Sequence, residues 1–304
     1  MRICSLLPSA TEIVYALGLG DQLFAVSHEC DYPPEAAAKP AVIRSVFDAS
    51  TLTSREIDDA VMEHLRQGIG VYAIDLDRLR RADPDLILTQ ELCDVCAVSY
   101  LEVKRAIEQL GSGPRLLSLS PALLGDVLQD IRRVGEAAGK EREAESVVEQ
   151  LQGRIDRVAT ITARVAARPA TFCLEWSDPL YVAGHWVPEM VELAGGTDGL
   201  GMKGKPSTRI EWDRVVAYAP EVIILMPCGF DVSRAVSELP ILTRLPGWSD
   251  LPAVRRGRVY AVDASAYFSR SGPRLVDGLE LLAKLIHPEL FFDPIPRESA
   301  RQVL

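Results

Sequence analysis

A chain of 304 residues is longer than a single hydrophobic core usually supports, so its length predicts two domains. Apolar residues make up 48% and charged residues 25%, a balance typical of globular rather than disordered proteins. The net charge of −10 argues against a protein that binds nucleic acid or an anionic membrane surface. No apolar run is long enough to span a bilayer, and six cysteines are too few for a disulfide scaffold.

The N-terminus enters a strand-like run directly, at residues 2–6, without the charged and apolar regions of a signal peptide. We therefore expect a cytoplasmic protein, with a periplasmic or extracellular location as the alternative if a leader has been removed. In a reducing compartment the cysteines would be thiols, metal ligands or redox groups.

Residues 1–120 alternate strand-like and helical segments, and we assign them to an N-terminal α/β lobe. Ser9 with Glu12 three residues later is the pattern of a capping box, which predicts a helix with Ser9 as its N-cap. Further strands are predicted at 23–27, 71–74, 85–89 and 115–119, and helices at 54–67, 76–81 and 100–110. Alternation of this kind predicts a doubly wound parallel sheet.

Residues 121–167 carry no strand signal, and two helices fit them, at 123–138 and 141–166. The second helix has apolar residues at helical spacing along one face. Its roughly 26 residues span on the order of 39 Å, enough to connect two domains. We assign 121–167 to a helical segment that includes this long connecting helix.

Alternation resumes in residues 168–304, which we assign to a C-terminal α/β lobe. Strands are predicted at 170–175, 222–226 and 259–262, and helices at 187–194, 213–217 and 272–285. The stretch 219–225 repeats the pattern of 82–88, which suggests two lobes of related architecture.

Chemically active side chains follow several predicted strands. In chain order they are His28, Glu29 and Cys30, then Gln90, Glu91, Cys93 and Cys96, and Cys228 in the second lobe. In open α/β sheets ligands bind beyond the carboxyl ends of strands, so we expect these loops to line a binding site.

The cysteines of these loops suggest a metal centre. A Cys-x-x-Cys pair with a further cysteine and a histidine is a ligand set that suits zinc or an iron–sulfur cluster. The candidate metal ligands are His28, Cys30, Cys93, Cys96 and Cys228. The alternative is that Cys93 and Cys96 form a redox pair or are ordinary loop thiols.

Aromatic and polar side chains near the strand exits are candidates for holding a flat ligand, which needs apolar walls and a few polar anchors. Besides His28, Glu29, Gln90 and Glu91, the candidate ligand-binding residues are Tyr32, Phe47, Glu175, Trp176, His185, Trp186, Phe230, Tyr267 and Arg270. The alternative for each aromatic residue is core packing, and for Arg270 a surface ion pair. His64, on a charged helical segment, is expected to be solvated.

Six short motifs occur in a characteristic order along nearly the whole chain. They are LLPSATE at 6–12, DYPP at 31–34, DPDLI at 83–87, ELAGG at 192–196, APEVI at 219–223 and SGPR at 271–274. With these motifs the chain resembles the substrate-binding proteins of vitamin B12 and siderophore ABC importers, most closely the cobalamin-binding branch. The resemblance implies two Rossmann-like lobes with parallel sheets, joined by one long helix, with the ligand in a cleft between the lobes.

The resemblance implies binding of cobalamin, or of a related corrinoid or tetrapyrrole, without catalysis. It implies an ABC transporter or a cobalamin-using acceptor protein as partner. The alternatives are a conventional importer component and an enzyme that uses the cysteines to hold zinc or an iron–sulfur cluster. A further alternative is direct contact of His28 or a thiol with the cobalt. Residues 50–77 depart from the family pattern, since they resemble an insertion that carries an extra helix.

Overall fold

The structure is a computed structural model that describes residues 1–91, 98–111 and 113–304. These residues form two compact units, unit 1 with residues 1–121 and 125–150 and unit 2 with residues 122–124 and 151–304. Each unit is built on its own six-stranded sheet. The predicted two-lobe α/β fold is confirmed, and the division between the units falls inside the long helix.

Unit 1 alternates strands and helices in the predicted order. Its strands are β1 (Ile3–Ser5), β2 (Leu23–Ser27), β3 (Ala41–Ser45), β4 (Tyr72–Ile74), β5 (Leu86–Thr89) and β6 (Arg115–Ser118). Its helices are α1 (Pro8–Ala16), α2 (Ser54–Arg66), α3 (Leu76–Ala82), α4 (Tyr100–Glu108), α5 (Leu124–Ala138) and the first part of α6 (Glu141–Thr162). Of the six strands, only β3 lies outside the predicted set.

The sheet of unit 1 has the order β4-β3-β2-β1-β5-β6. All neighbours run parallel except β4, which runs antiparallel to β3 with Tyr72 opposite Ser45. One end of the sheet therefore carries the carboxyl ends of five strands and the start of β4. The core packs fully buried Cys4 and Ile87 of the sheet against Leu79 and Val103 of the helices.

The start of α1 differs from the prediction. Leu7 is the N-cap and Pro8 is the first helical residue, while Ser9 lies buried inside the helix and makes no capping bond. The predicted capping box at Ser9 is therefore wrong, because the fixed φ of Pro8 starts the helix earlier. A capping box does occur at α2, where the Thr53 hydroxyl accepts from the Glu56 N–H and the Glu56 carboxylate accepts from the Thr53 N–H.

Unit 2 contains more short elements than the sequence suggested. Its strands are β7 (Thr171–Ser177), β8 (Leu180–Val182), β9 (Thr208–Arg209), β10 (Val222–Leu225), β11 (Val259–Val262) and β12 (Ala300–Gln302). Its helices, after the second part of α6, are α7 (Val187–Leu193), α8 (Trp212–Tyr218), α9 (Val232–Ser237), α10 (Leu239–Thr243), α11 (Pro252–Arg255), α12 (Ala264–Tyr267) and α13 (Leu275–Ile286).

The sheet of unit 2 has the order β12-β11-β10-β7-β8-β9, and only β7, β10 and β11 run parallel. Strands β8, β9 and β12 pair antiparallel. The expected parallel sheets are thus mixed sheets in both units. The tight turn at Asp178 and Pro179 explains β8, since a short connection joins only antiparallel neighbours.

The long helix α6 ends at Thr162, four residues before the predicted end. In unit 2 its Arg154 guanidinium donates to the carboxylates of Asp277 and Glu280 on α13, at 2.5 and 2.7 Å. The Thr162 hydroxyl donates to the Leu193 carbonyl at the end of α7, at 2.6 Å. Within the described residues, no helix has the length and apolar character needed to cross a membrane.

Candidate functional site

The end of the sheet in unit 1 where five strands finish carries aromatic and imidazole rings. We call it the unit 1 edge and define it by His28, Phe47, Tyr72, Gln90 and Glu91. His28 follows β2 and its ring lies 5.8 Å from the ring of Tyr72, which begins β4. Phe47 follows β3, and its ring lies 5.7 Å from that of His64 on α2. Two imidazole–aromatic pairs therefore lie near the end of β3.

A serine fixes the loop that presents Phe47. The Ser45 hydroxyl donates to the Phe47 carbonyl at 2.6 Å and accepts from the Phe47 N–H at 3.3 Å. The Val46 N–H donates to the Val71 carbonyl at 3.1 Å. Because these bonds hold the backbone of residues 45–47, the half-buried Phe47 ring has a defined position beside α2.

The remaining candidates of unit 1 differ in exposure. Gln90 is buried at the end of β5, whereas Glu91 is exposed and its N–H donates to the Ser120 hydroxyl at 3.1 Å. Tyr32 is 45% exposed. Glu29 is exposed, with its carboxylate 3.9 Å from the His28 Nε2 atom. The exposed members could contact a ligand without a change in the core.

The predicted metal ligands of unit 1 lie in different environments. The Cys30 thiol is buried and accepts from the Thr11 hydroxyl at 3.1 Å, whereas His28 is exposed beside Tyr72. Cys93 and Cys96 lie outside the described residues. Across residues 1–91, 98–111 and 113–304, no group of three or more His, Cys, Asp or Glu side chains could hold a metal ion. The metal hypothesis therefore gains no support from the described ligands.

In unit 2, Trp176 lies near the carboxyl end of β7. It belongs to β7 itself, not to the loop after it as expected, and its ring lies 5.3 Å from that of Phe230 in the loop after β10. Phe230 is buried, with the Arg234 guanidinium 4.6 Å from its ring centre. Trp176 is half-buried and so keeps a surface for a ligand.

The neighbouring loops bring Cys228 and Arg270 to this end of the sheet. The Cys228 N–H donates to the Glu175 carbonyl at 2.9 Å, and the Gly229 N–H donates to the Ser269 hydroxyl at 3.1 Å. Arg270 is half-buried next to Ser269. We call Trp176, Cys228, Phe230 and Arg270 the unit 2 edge. Tyr267 is directed elsewhere, since its hydroxyl lies 3.1 Å from that of Ser299.

His185 and Trp186 lie alongside β7 instead of beyond its end, because β8 runs back antiparallel to it. Trp186 is 6% exposed and its indole N–H donates to the Phe268 carbonyl at 2.9 Å, so it packs inside the unit. His185 has φ +50° and is held by its N–H, which donates to the Lys205 carbonyl at 2.6 Å. Burial lowers the pKa of His185, which favours the neutral imidazole.

The Glu175 side chain is hydrogen-bonded to residues that are distant in sequence. Its carboxylate accepts from the Ser207 hydroxyl at 2.5 Å and from the Gly184 N–H, and burial raises the pKa of this carboxyl. We call Glu175, Gly184 and Ser207 the Glu175 cluster. A Cβ atom on Gly184 would lie 2.5 Å from the Ser207 nitrogen, so only glycine fits there. The hydrogen bonds of the Glu175 carboxylate are therefore satisfied within the protein.

Two functional candidates were missed by sequence reasoning. His64 was expected to be solvated, yet it is half-buried on the stripe of α2 that also contains Ile57, Ala60 and Val61. Spacing of three and four residues along this stripe was a usable signal. Ser207, by contrast, has no local pattern that points to Glu175.

The chain is similar in sequence to known proteins. The chain is 27% identical over 297 residues to an uncharacterized ABC transporter substrate-binding lipoprotein, YvrC, of Bacillus subtilis (strain 168), covering 95% of this chain and 81% of that protein. It is 24% identical over 290 residues to a vitamin B12-binding protein of Photorhabdus laumondii subsp. laumondii, covering 94% and 88%.

A solved structure supports the fold. The periplasmic heme-binding protein RhuT from Roseiflexus sp. RS-1, in apo form, matches with a TM-score of 0.70 and 23% sequence identity, over 95% of this chain and 99% of that chain. In addition, residues 3–266 match a family described as periplasmic binding protein. Because this match covers most of the sequence, the chain belongs to the periplasmic binding protein family.

Proposed function

We propose that this chain binds cobalamin or a related corrinoid and acts as the substrate-binding component of an importer, without catalysis. The observation that carries the proposal is the alignment with the vitamin B12-binding protein of Photorhabdus laumondii, which covers 94% of this chain and 88% of that protein. Because the alignment extends over both units, it supports a shared function of the whole chain and not of one unit alone.

The two edges offer the groups that a corrinoid needs. A corrin ring is broad and apolar on its faces and carries polar amide side chains at its rim. Trp176 in unit 2, with Phe47 and Tyr72 in unit 1, would supply aromatic surface. Gln90 and Arg270 would supply hydrogen bonds to amide groups at the rim. All five residues are proposals as ligand contacts.

Location and partner follow from the same relatives. We propose that the protein acts outside the cytoplasmic membrane and delivers its ligand to an ABC transporter. The relatives support this alternative over the cytoplasmic location expected from the N-terminus, since they are named as a substrate-binding lipoprotein and as periplasmic or vitamin-binding proteins.

Gel filtration with cyanocobalamin tests the proposal directly. We expect the corrin absorbance to co-elute with the protein, with one ligand bound per chain. Elution of all corrin absorbance at the position of the free vitamin would overturn the proposal.

A substitution at the unit 2 edge tests the site. Trp176→Ala should weaken cyanocobalamin binding at least tenfold by titration calorimetry, since a large buried aromatic contact contributes about 1.5–3 kcal/mol. Phe292→Ala is the matched control, because this substitution also removes an aromatic ring from unit 2. Phe292 follows α13 and is 86% exposed. Equal affinities of the two variants would exclude Trp176 as a ligand contact.

A further inference from the structure

The imidazole of His64 is held in one tautomer. Its Nδ1 atom lies 2.8 Å from the carbonyl oxygen of Ala60, one helical turn earlier on α2. A carbonyl oxygen only accepts hydrogen bonds, so Nδ1 must carry the hydrogen. In the neutral ring the lone pair is therefore on Nε2. This nitrogen makes no hydrogen bond to the described residues.

The position of His64 places this lone pair near the unit 1 edge. The ring is half-buried and packs beside Phe47, which the loop after β3 holds at the unit 1 edge. The His64 side chain belongs to the same stripe of α2 as Ile57, whereas Asp59 and Glu63 face solvent. An imidazole that only needed solvation would be expected on the solvated face. Instead, α2 directs it toward the edge at which ligands of such sheets bind.

Histidines that coordinate metals usually have this arrangement. The second ring nitrogen donates to a carbonyl or carboxylate, which fixes the tautomer and raises the basicity of the coordinating nitrogen. In α2 the Ala60 carbonyl provides that acceptor. The helix thus supplies both the ligand atom and its support within one turn.

We propose that His64 coordinates the metal centre of the bound tetrapyrrole through Nε2. The inference rests on the proposed function, because it requires a ligand with an exchangeable axial position. For a corrinoid, the bond between cobalt and an axial water breaks and a bond between cobalt and Nε2 forms. The water leaves, Nε2 provides the electron pair, no proton moves and the oxidation state of cobalt is unchanged.

The test compares two cobalamins that differ in this axial ligand. Aquocobalamin has an exchangeable water, whereas the cyanide of cyanocobalamin is held firmly. On addition of the full chain to aquocobalamin, we expect the corrin absorbance bands to shift as they do with free imidazole. Cyanocobalamin should bind without such a shift.

His64→Ala should abolish the shift and weaken aquocobalamin binding about tenfold, equivalent to about 1.4 kcal/mol. It should change cyanocobalamin binding less than twofold. In His64→Gly, added imidazole should restore the shift at a concentration too low to shift aquocobalamin in the absence of protein. Asp59→Ala is the control, since Asp59 is exposed on the same helix, and circular dichroism verifies that each variant folds.

Three results would overturn the inference. They are a shift that persists in His64→Ala, a shift that His28→Ala removes instead, and equal weakening of both cobalamins, which would mark His64 as a packing residue. If wild-type protein binds neither cobalamin but shows a His64-dependent band change with ferric protoporphyrin IX, coordination by His64 stands and the corrinoid proposal fails. Absence of binding to all three ligands would overturn both.

Discussion

The Glu175 carboxylate in unit 2 is hydrogen-bonded within the protein, whereas His64 in unit 1 has a ring nitrogen with no hydrogen bond to the described residues. The Glu175 carboxylate accepts from Ser207 and Gly184, and the backbone around His185 is fixed by Lys205. Beside Phe47, the α2 residue His64 uses one ring nitrogen and leaves the other without a hydrogen bond to the described residues.

The difference suggests separate tasks within one chain. A region whose polar groups are already satisfied is rigid and contributes to stability. Side chains with spare hydrogen-bonding or coordinating capacity gain more from a ligand than from the fold. Substitutions in the Glu175 cluster and at buried Phe230 should therefore change stability most, whereas those at His64 and Phe47 should change binding most.

The largest expected effect comes from a pair of phenylalanines, one in each unit. Phe230→Ala should lower the free energy of unfolding by about 3 kcal/mol, because Phe230 is 8% exposed and packs on Trp176. Phe47→Ala should lower it by only about 1 kcal/mol, because Phe47 is half-buried. Urea denaturation measures both values.

The order of the two binding effects should differ from the order of the stability effects. Phe47→Ala should weaken ligand binding by a larger factor than Phe230→Ala does, although it lowers the free energy of unfolding less. If Phe47→Ala destabilises the protein as much as Phe230→Ala does, the proposed division of tasks is wrong.

A glycine tests how rigid the Glu175 cluster is. Gly184→Ala should lower the free energy of unfolding by about 2 kcal/mol, because the new Cβ would meet the backbone of Pro206 and Ser207. Gly153→Ala is the matched control, since Gly153 lies in α6 and a Cβ there would have no heavy atom within 4 Å apart from the backbone of its own helix. That control should stabilise the helix by about 0.5–1 kcal/mol. Equal stability of Gly184→Ala and wild type would show that the loop adapts freely.

Strong local signals in the sequence predicted most of this framework. The apolar runs of β2 and β11 were placed at their observed ends. Where the predictions failed, tertiary structure decided. Strands β8 and β9 have only three and two residues, too few for a pattern, so the antiparallel pairing of β8 with β7 and of β9 with β8 makes them strands.

The candidate site was predictable in part for the same reason. Residues that follow predicted strands were placed near the sheet ends, as His28 shows, whereas Phe47 follows β3, a strand that was not predicted. The bond from Ser207 to Glu175 joins residues 32 positions apart, and no local pattern encodes it. His185 was expected beyond β7 because the antiparallel return of β8 was not recognised. The Cys93 and Cys96 pair lies outside the described residues and stays a prediction.

The smallest expected effect concerns the charge of Glu175. Burial raises the pKa of its carboxyl above the ordinary value of 4.5, so the folded protein binds this proton more tightly than the unfolded chain does. Stability from this group is therefore fully present below about pH 4.5 and decreases as pH rises toward the raised pKa.

Glu175→Gln keeps the shape and the hydrogen bond to Ser207 but cannot ionise. The free energy of unfolding of wild type relative to Glu175→Gln should then fall as pH rises through this window and stay constant above it. Urea denaturation at a series of pH values measures the difference, and a difference independent of pH would mean that the Glu175 cluster stabilises the carboxylate as well as water does.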